Sequence, residues 1–291
     1  MRLEDGRESG NVEDRRGGGF GRGGLGRGGI AVGGGIGSVV LVVLALLFGV
    51  DPSVILSGGP GPAPMEQPVP QGGRPTGEDP AARFVSRVLA ETEDVWNPAF
   101  ESVGRRYQEP RLVLFSGVVE SGCGTAQAQV GPFYCPGDQR VYIDLDFLGQ
   151  MQQSLGARGD FAAAYVIAHE VGHHVQNQLG ILSRVEQLKR RAGQAEANAL
   201  QVRVELQADC LAGLWARRAQ DARNILEQGD IEEGLNAAAS VGDDRLQRRA
   251  RGTVQPESFT HGSSAQRVRW FRRGLETGQL EACDTFGSGP L

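Results

Sequence analysis

Two histidines four residues apart, with a glutamate directly after the first, constrain this chain most: His169-Glu170-Val171-Gly172-His173. Histidines at that spacing aim both rings at one point only on an α-helix, where four residues make about one turn. The flanking sequence agrees. Asp160 is a suitable N-cap, Gly180 a suitable C-cap, and Phe161, Ala164, Tyr165, Ala168, Val171, Val175 and Leu179 recur on one side. Two imidazoles on one turn can share a single tetrahedral zinc, with Glu170 beside them to take a proton from a water. The bland alternative is a pair of surface histidines on an amphipathic helix. Against it, three of the chain's four histidines fall within positions 169–174.

A third ligand is available downstream in Val204-Glu205-Leu206-Gln207-Ala208-Asp209, on a second helix expected over about 196–219. Glu205 and Asp209 are one turn apart and share a face. Glu205 is the candidate ligand. Asp209 is placed to accept a hydrogen bond from the distal nitrogen of a ligand histidine, fixing its ring. Cys210 is rotated off this face, which argues against a thiolate ligand. His261 is the only histidine outside the metal segment and lies in a Ser/Thr/Gly-rich loop, so it is the candidate donor to a tetrahedral oxyanion. An ordinary surface histidine is the competing reading. His174 points off the ligand face and is expected to be structural.

The first third of the chain differs in kind from the rest. Half of the 44 glycines crowd into the first 80 positions, and the net charge of −5 gives no bulk attraction to nucleic acid. Residues 1–29 are polar and Gly/Arg-rich and are expected to be disordered. Residues 30–50 carry no charge and are long enough to cross a bilayer as a helix. Arg15, Arg16, Arg22 and Arg27 precede that run, and no Lys or Arg follows until Arg74. The positive-inside rule therefore places the amino terminus in the cytoplasm and the remainder outside a bacterial cytoplasmic membrane. A cleaved signal peptide is the rival, but 29 residues precede the run and no clear cleavage site follows. Residues 51–80 read as a Pro/Gly linker. Outside the cytoplasm, Cys123, Cys135, Cys210 and Cys283 are expected to form two disulfides. Three connectivities are open. Cys123–Cys135 is the local choice, leaving Cys210–Cys283.

Residues 81–291 read as the folded domain. A helix is expected over 81–109, interrupted or kinked at Pro98. Arg111-Leu112-Val113-Leu114-Phe115 and Arg140-Val141-Tyr142-Ile143-Asp144-Leu145 are rich in strand formers, with a short strand possible near 130–134. From Asp160 onward the pattern is almost entirely helical, so the class is α+β. The strand at 141–145 offers an edge for an extended peptide, or is an ordinary core strand. The Arg-rich stretch 184–203 reads as a solvated helix or as a gate over the site.

His169–His173 followed by Glu205–Asp209 resembles the gluzincin pattern, HExxH plus ExxxD. The wider chain resembles the bacterial putative neutral zinc metallopeptidase family, through Asn11-Val12-Glu13-Asp14-Arg15-Arg16-Gly17, Gly131-Pro132-Phe133-Tyr134-Cys135-Pro136, Ser258-Phe259-Thr260-His261-Gly262 and Gln266-Arg267-Val268-Arg269-Trp270-Phe271. The resemblance covers nearly the whole chain apart from the spacer. It implies a mostly helical zincin-like domain with a small sheet, one Zn2+ per chain, and hydrolysis of peptide or protein substrates with Glu170 as general base. His169, Glu170, His173 and Glu205 are all present, with no ligand replaced. The rival readings are a membrane protein with a structural zinc, which normally takes four protein ligands, and a zinc amidase acting on cell-wall material.

Overall fold

The computed structural model describes residues 1–16, 79–127, 131–150, 159–287 and 291. The sheet is built from strands far apart in sequence. Strands β1 (Val12–Asp14) and β2 (Arg111–Phe115) pair in parallel. A hairpin, β3 (Val118–Ser121) with β4 (Gly124–Gln127), follows as a separate antiparallel pair. Strand β5 (Phe133–Cys135) then leads into β6 (Arg140–Asp144), which pairs in parallel with β2. The order across the sheet is β1-β2-β6-β5, with β5 antiparallel on the edge.

The run Leu112-Val113-Leu114 is fully buried because both faces of this sheet are covered. Alternation sends Leu112, Leu114, Val141 and Ile143 into the main core, and Val113, Phe115 and Tyr142 into a smaller cluster under the β3–β4 hairpin. The strand at 141–145 is therefore interior, between β2 and β5. It cannot present an edge, and the edge on its side of the sheet belongs to β5.

Helix α1 (Pro80–Glu101) starts under Asp79, whose carboxylate accepts from the Ala81 and Ala82 amides, with Pro80 at the first position. It contains Pro98 and stops at Glu101, shorter than the expected 81–109. A short helix α2 (Leu145–Gln150) follows the sheet. The helical layer consists of α3 (Asp160–Gln178), α4 (Ile181–Lys189), α5 (Gln194–Arg223), α6 (Asp230–Ser240), α7 (Asp243–Arg251) and α8 (Ser264–Thr277). Helix α5 is the longest and packs on both α3 and α8. Asp160 is not the cap of α3. Gly159 occupies that position without a side-chain bond, and the Asp160 carboxylate instead takes the Met1 amino-terminal nitrogen at 2.8 Å. Gly180 follows the Leu179 cap in a left-handed conformation, φ 77°, and ends α3 as expected. Both disulfides, Cys123–Cys135 and Cys210–Cys283, are present.

The amino terminus departs from expectation. Disorder over 1–29 does not hold for residues 1–16. Met1, Leu3 and Val12 are buried in the main core, β1 extends the sheet, and Arg7 pairs with Glu93 and Asp94 at 2.7 Å. The apolar residues that offset the ordering entropy are few, but they dock onto a core already formed by α1 and β2. The expected topology puts the amino terminus and the domain on opposite sides of a single crossing at 30–50; among the described residues, β1 shares a sheet with β2. The span at 30–50 and nearly all of the 51–80 linker lie outside the described residues. Among the described residues no helix is long and apolar enough to cross a membrane.

Candidate metal centre

Close approach of α3 and α5 creates the site. Gly172 makes it possible: a Cβ there would lie 3.1 Å from the Ala208 carbonyl oxygen. With the helices this near, Glu205 of α5 faces His169 and His173 of α3. Glu205 Oε2 lies 3.3 Å from His169 Nε2 and 3.7 Å from His173 Nε2. Ligands about 2.1 Å from a tetrahedral zinc are separated by about 3.4 Å, so both Glu205 distances match an edge of that tetrahedron, and all three ligand atoms lie within 4.8 Å of one another. A donor set of two imidazoles and one carboxylate suits zinc.

Each ligand is held from behind. His169 Nδ1 donates to Asp209 Oδ1 at 2.9 Å, and His173 Nδ1 donates to Gln176 Oε1 at 2.8 Å. Both Nε2 lone pairs are thereby turned inward. Gln176 is itself fixed, donating to the Val204 carbonyl at 2.8 Å and to Gln207 Oε1 at 2.9 Å. Glu205 Oε1 accepts from Gln201 at 2.9 Å, leaving Oε2 for a metal. Asp209 is fully buried and accepts from the Tyr165 hydroxyl, and from Arg267 Nε and Nη2 at 2.8 Å each. Arg267 is only 3% exposed, so this is a bidentate ion pair inside the protein. Burial works to raise the Glu205 and Asp209 carboxyls, but His173 and His169 beside the first, and Arg267 and His169 beside the second, hold both below the usual carboxylate range.

Glu170 faces the same cavity beside the ligands. Burial pushes its carboxyl up, against the pull of His173 and His169, which makes it a stronger base than an exposed glutamate. His261 also lines this cavity. Asp243, the first residue of α7, gathers its loop: Oδ2 accepts from the backbone amides of Thr260, His261 and Gly262, and Oδ1 takes His261 Nδ1 at 3.1 Å. Nε2 of His261 is left to face the cavity. Burial lowers the His261 pKa, and the Asp243 carboxylate outweighs it, raising the pKa overall. His174 lies elsewhere, donating to the Gln108 carbonyl and accepting from the Tyr134 hydroxyl at 3.1 Å, and burial lowers its pKa to about 4. It is structural, as expected.

Thus the structure brings His169, Glu170, His173, Glu205, Asp209 and His261 to one cavity or its immediate support. Sequence reasoning assigns no role to Arg267, Tyr165, Gln176, Gln201 or Asp243. Arg267 leaves a trace: it falls in helical phase with the buried Trp270, Phe271 and Gly274, where a charge is unexpected. Gln176 sits one turn after His173 on the same helix, which is the other available signal. The remaining cavity wall is largely apolar, with Phe147, Val166, Leu182, Val241 and Leu246 around it. The cavity has a volume of about 180 Å3.

Fold and site together define a helical domain in which two histidines and one glutamate form a group that could hold a metal ion, with a second glutamate beside it. The chain belongs to the family described as putative neutral zinc metallopeptidase, whose model matches residues 1–286. It is 49% identical over 289 residues to the Escherichia coli K12 protein YpfJ, covering 99% of each chain. It is 44% identical over 265 residues to Rv2575 of Mycobacterium tuberculosis H37Rv and to Mb2605 of Mycobacterium bovis, covering 85% of this chain and 86% of theirs. No solved structure matches the chain.

Proposed function

We propose that the protein is a zinc-dependent peptidase. The observation that carries this reading is the triangle of His169, His173 and Glu205 atoms, all within 4.8 Å of one another, with the Glu170 carboxyl beside it. Zinc in such a three-ligand site supplies Lewis acidity, lowering the pKa of a water to about 7 and polarising a carbonyl. Glu170 accepts the proton of the attacking water on its carboxylate and passes it to the departing amine nitrogen. Its desolvated setting suits both halves of that task. His261, its other nitrogen anchored by Asp243, donates from Nε2 to the oxygen that gains charge. The β5 edge beside the site is available to pair with an extended substrate backbone. The two disulfides favour an oxidising compartment for the domain.

The test is direct. In Glu170→Gln, hydrolysis of a peptide library should fall by about a thousandfold, while zinc content stays at the wild-type level. Retained turnover sinks the base assignment. Glu205→Ala should lose most of its zinc on dialysis; unchanged metal content would place the third ligand elsewhere. A digest comparing peptides with cell-wall amides decides between peptidase and amidase.

A further inference from the structure

The chain has one lysine beside 29 arginines, and that lysine lies in the Arg-rich stretch 184–203. Lys189 ends α4, where it falls in helical phase with the buried Leu182 and Val185. Phase therefore carries it inward, while Arg184 and Arg190 of the same stretch are exposed. Its side chain is 16% exposed. The ammonium donates to Gln201 Oε1 at 3.0 Å, its one hydrogen bond among the described residues. The Glu186 carboxylate, one turn back on α4, stands 3.9 Å away, beyond hydrogen-bonding distance. Gln201 is 5% exposed and sits one turn before Glu205 on α5. Its Nε2 donates to Glu205 Oε1 at 2.9 Å, and Glu205 Oε2 is the oxygen that faces the two histidines. The three side chains thus form a line from the end of α4 to the third ligand.

An ammonium can only donate and an ionised carboxylate can only accept, so an amide between them has one workable orientation: oxygen toward Lys189, nitrogen toward Glu205. Turned the other way, it would set donor against donor and acceptor against acceptor. Lys189 therefore selects which end of Gln201 meets the ligand. Gln201 also lines the cavity, so without that hold its amide has open space to swing into, releasing Glu205. We infer that Lys189 is a positioning residue of the metal site, acting through Gln201 to hold Glu205 Oε1 and so present Oε2 to the ion. This rests on the zinc site of the peptidase reading and adds a residue outside both the ligand set and the cavity wall. Two other roles compete. A staple that merely fastens α4 to α5 would change stability and leave zinc affinity alone. A plain charge repels a metal ion through space, so its loss would tighten zinc binding. Positioning alone predicts that zinc binding weakens.

The test is the zinc affinity of the full chain, read by competition with a chelating dye, in wild type, Lys189→Met, Gln201→Leu and the double variant. Lys189→Met should bind zinc about tenfold more weakly, the loss expected when an outer residue that orients a ligand is removed. Gln201→Leu should lose at least as much. Adding Lys189→Met to it should cost nothing further, because the path to Glu205 is already cut. Lys189→Arg keeps the charge and the donors and should stay within about threefold of wild type. Urea melts in chelator check that each variant folds. Since the chain has a single lysine, 13C-lysine labelling gives one set of side-chain signals. Its ε-methylene signal should shift on zinc addition in the wild type and hold still in Gln201→Leu. Unchanged or tighter zinc binding in Lys189→Met, or an equal loss from it in both backgrounds, would overturn the inference. A wild type that binds no zinc would bring down the peptidase reading and the inference together. Zinc held alike by wild type and Lys189→Met removes the role of Lys189 and leaves that reading standing.

Discussion

Replacing Asp209 with Asn tests the support of the candidate metal centre most sharply. The carboxylate is fully buried and carries the charge that matches Arg267, itself 3% exposed. Asn can still accept from His169 Nδ1, so that hydrogen bond survives in weakened form. The guanidinium loses its counter-charge in a place water does not reach. Removing one partner of a buried pair costs about 3–5 kcal/mol, because the other charge is left unpaired. Arg267→Met should cost a similar amount in the opposite sense, stranding Asp209. The double variant removes both charges at once and should lose far less than the sum, giving a coupling of at least about 2 kcal/mol. The assay is urea denaturation of the four proteins in chelator, so that metal binding does not add to the native-state stability. Zinc affinity, read separately by competition with a chelating dye, should fall about tenfold in Asp209→Asn. Additive costs, or a single-variant cost below about 1 kcal/mol, would refute the claim that the pair is buried and coupled.

Three further outcomes follow from the packing. Gly274→Ala should cost at least about 3 kcal/mol, since a Cβ there would stand 1.9 Å from the Cys210 carbonyl oxygen where α8 crosses α5, whereas Gly193→Ala, with open space around it at the N-cap of α5, should cost no more than about 1 kcal/mol in the same melt. Replacing Cys210 and Cys283 by Ser opens a 73-residue loop and should lower the urea stability by about 4 kcal/mol. His174, whose pKa falls from 6.5 to about 4 on burial, binds its proton better when unfolded. Its contribution is intact above pH 6.5 and is lost as pH falls toward 4, about 3 kcal/mol that metal-free His174→Gln should not lose in an acid titration.

The candidate metal ligands were legible because helical periodicity alone fixes which residues share a turn. His169 with His173, and Glu205 with Asp209, needed no tertiary information. The strands at 111–115 and 140–144 were legible from their β-branched and aromatic content. What stayed hidden depends on contacts between distant segments. Arg267 is 58 residues from Asp209, and nothing local says that its charge turns inward. Asp243 and His261 are 18 apart, joined only by the fold of a loop. The amino terminus misled for the same reason: residues 1–16 have too little apolar surface to fold alone, and composition cannot reveal that they complete a sheet whose other strands begin about a hundred residues later.

That completion has a mechanical consequence. Arg16, the last described residue before the intervening stretch, is ion-paired with Asp79, the first one after it. The two described stretches that flank residues 17–78 are thus tied directly to each other. A cut anywhere between Arg16 and Asp79 would produce two polypeptides but not two bodies. The short amino-terminal piece, still paired to β2 and clamped by Arg7, should co-purify with the large fragment and part from it only in denaturant.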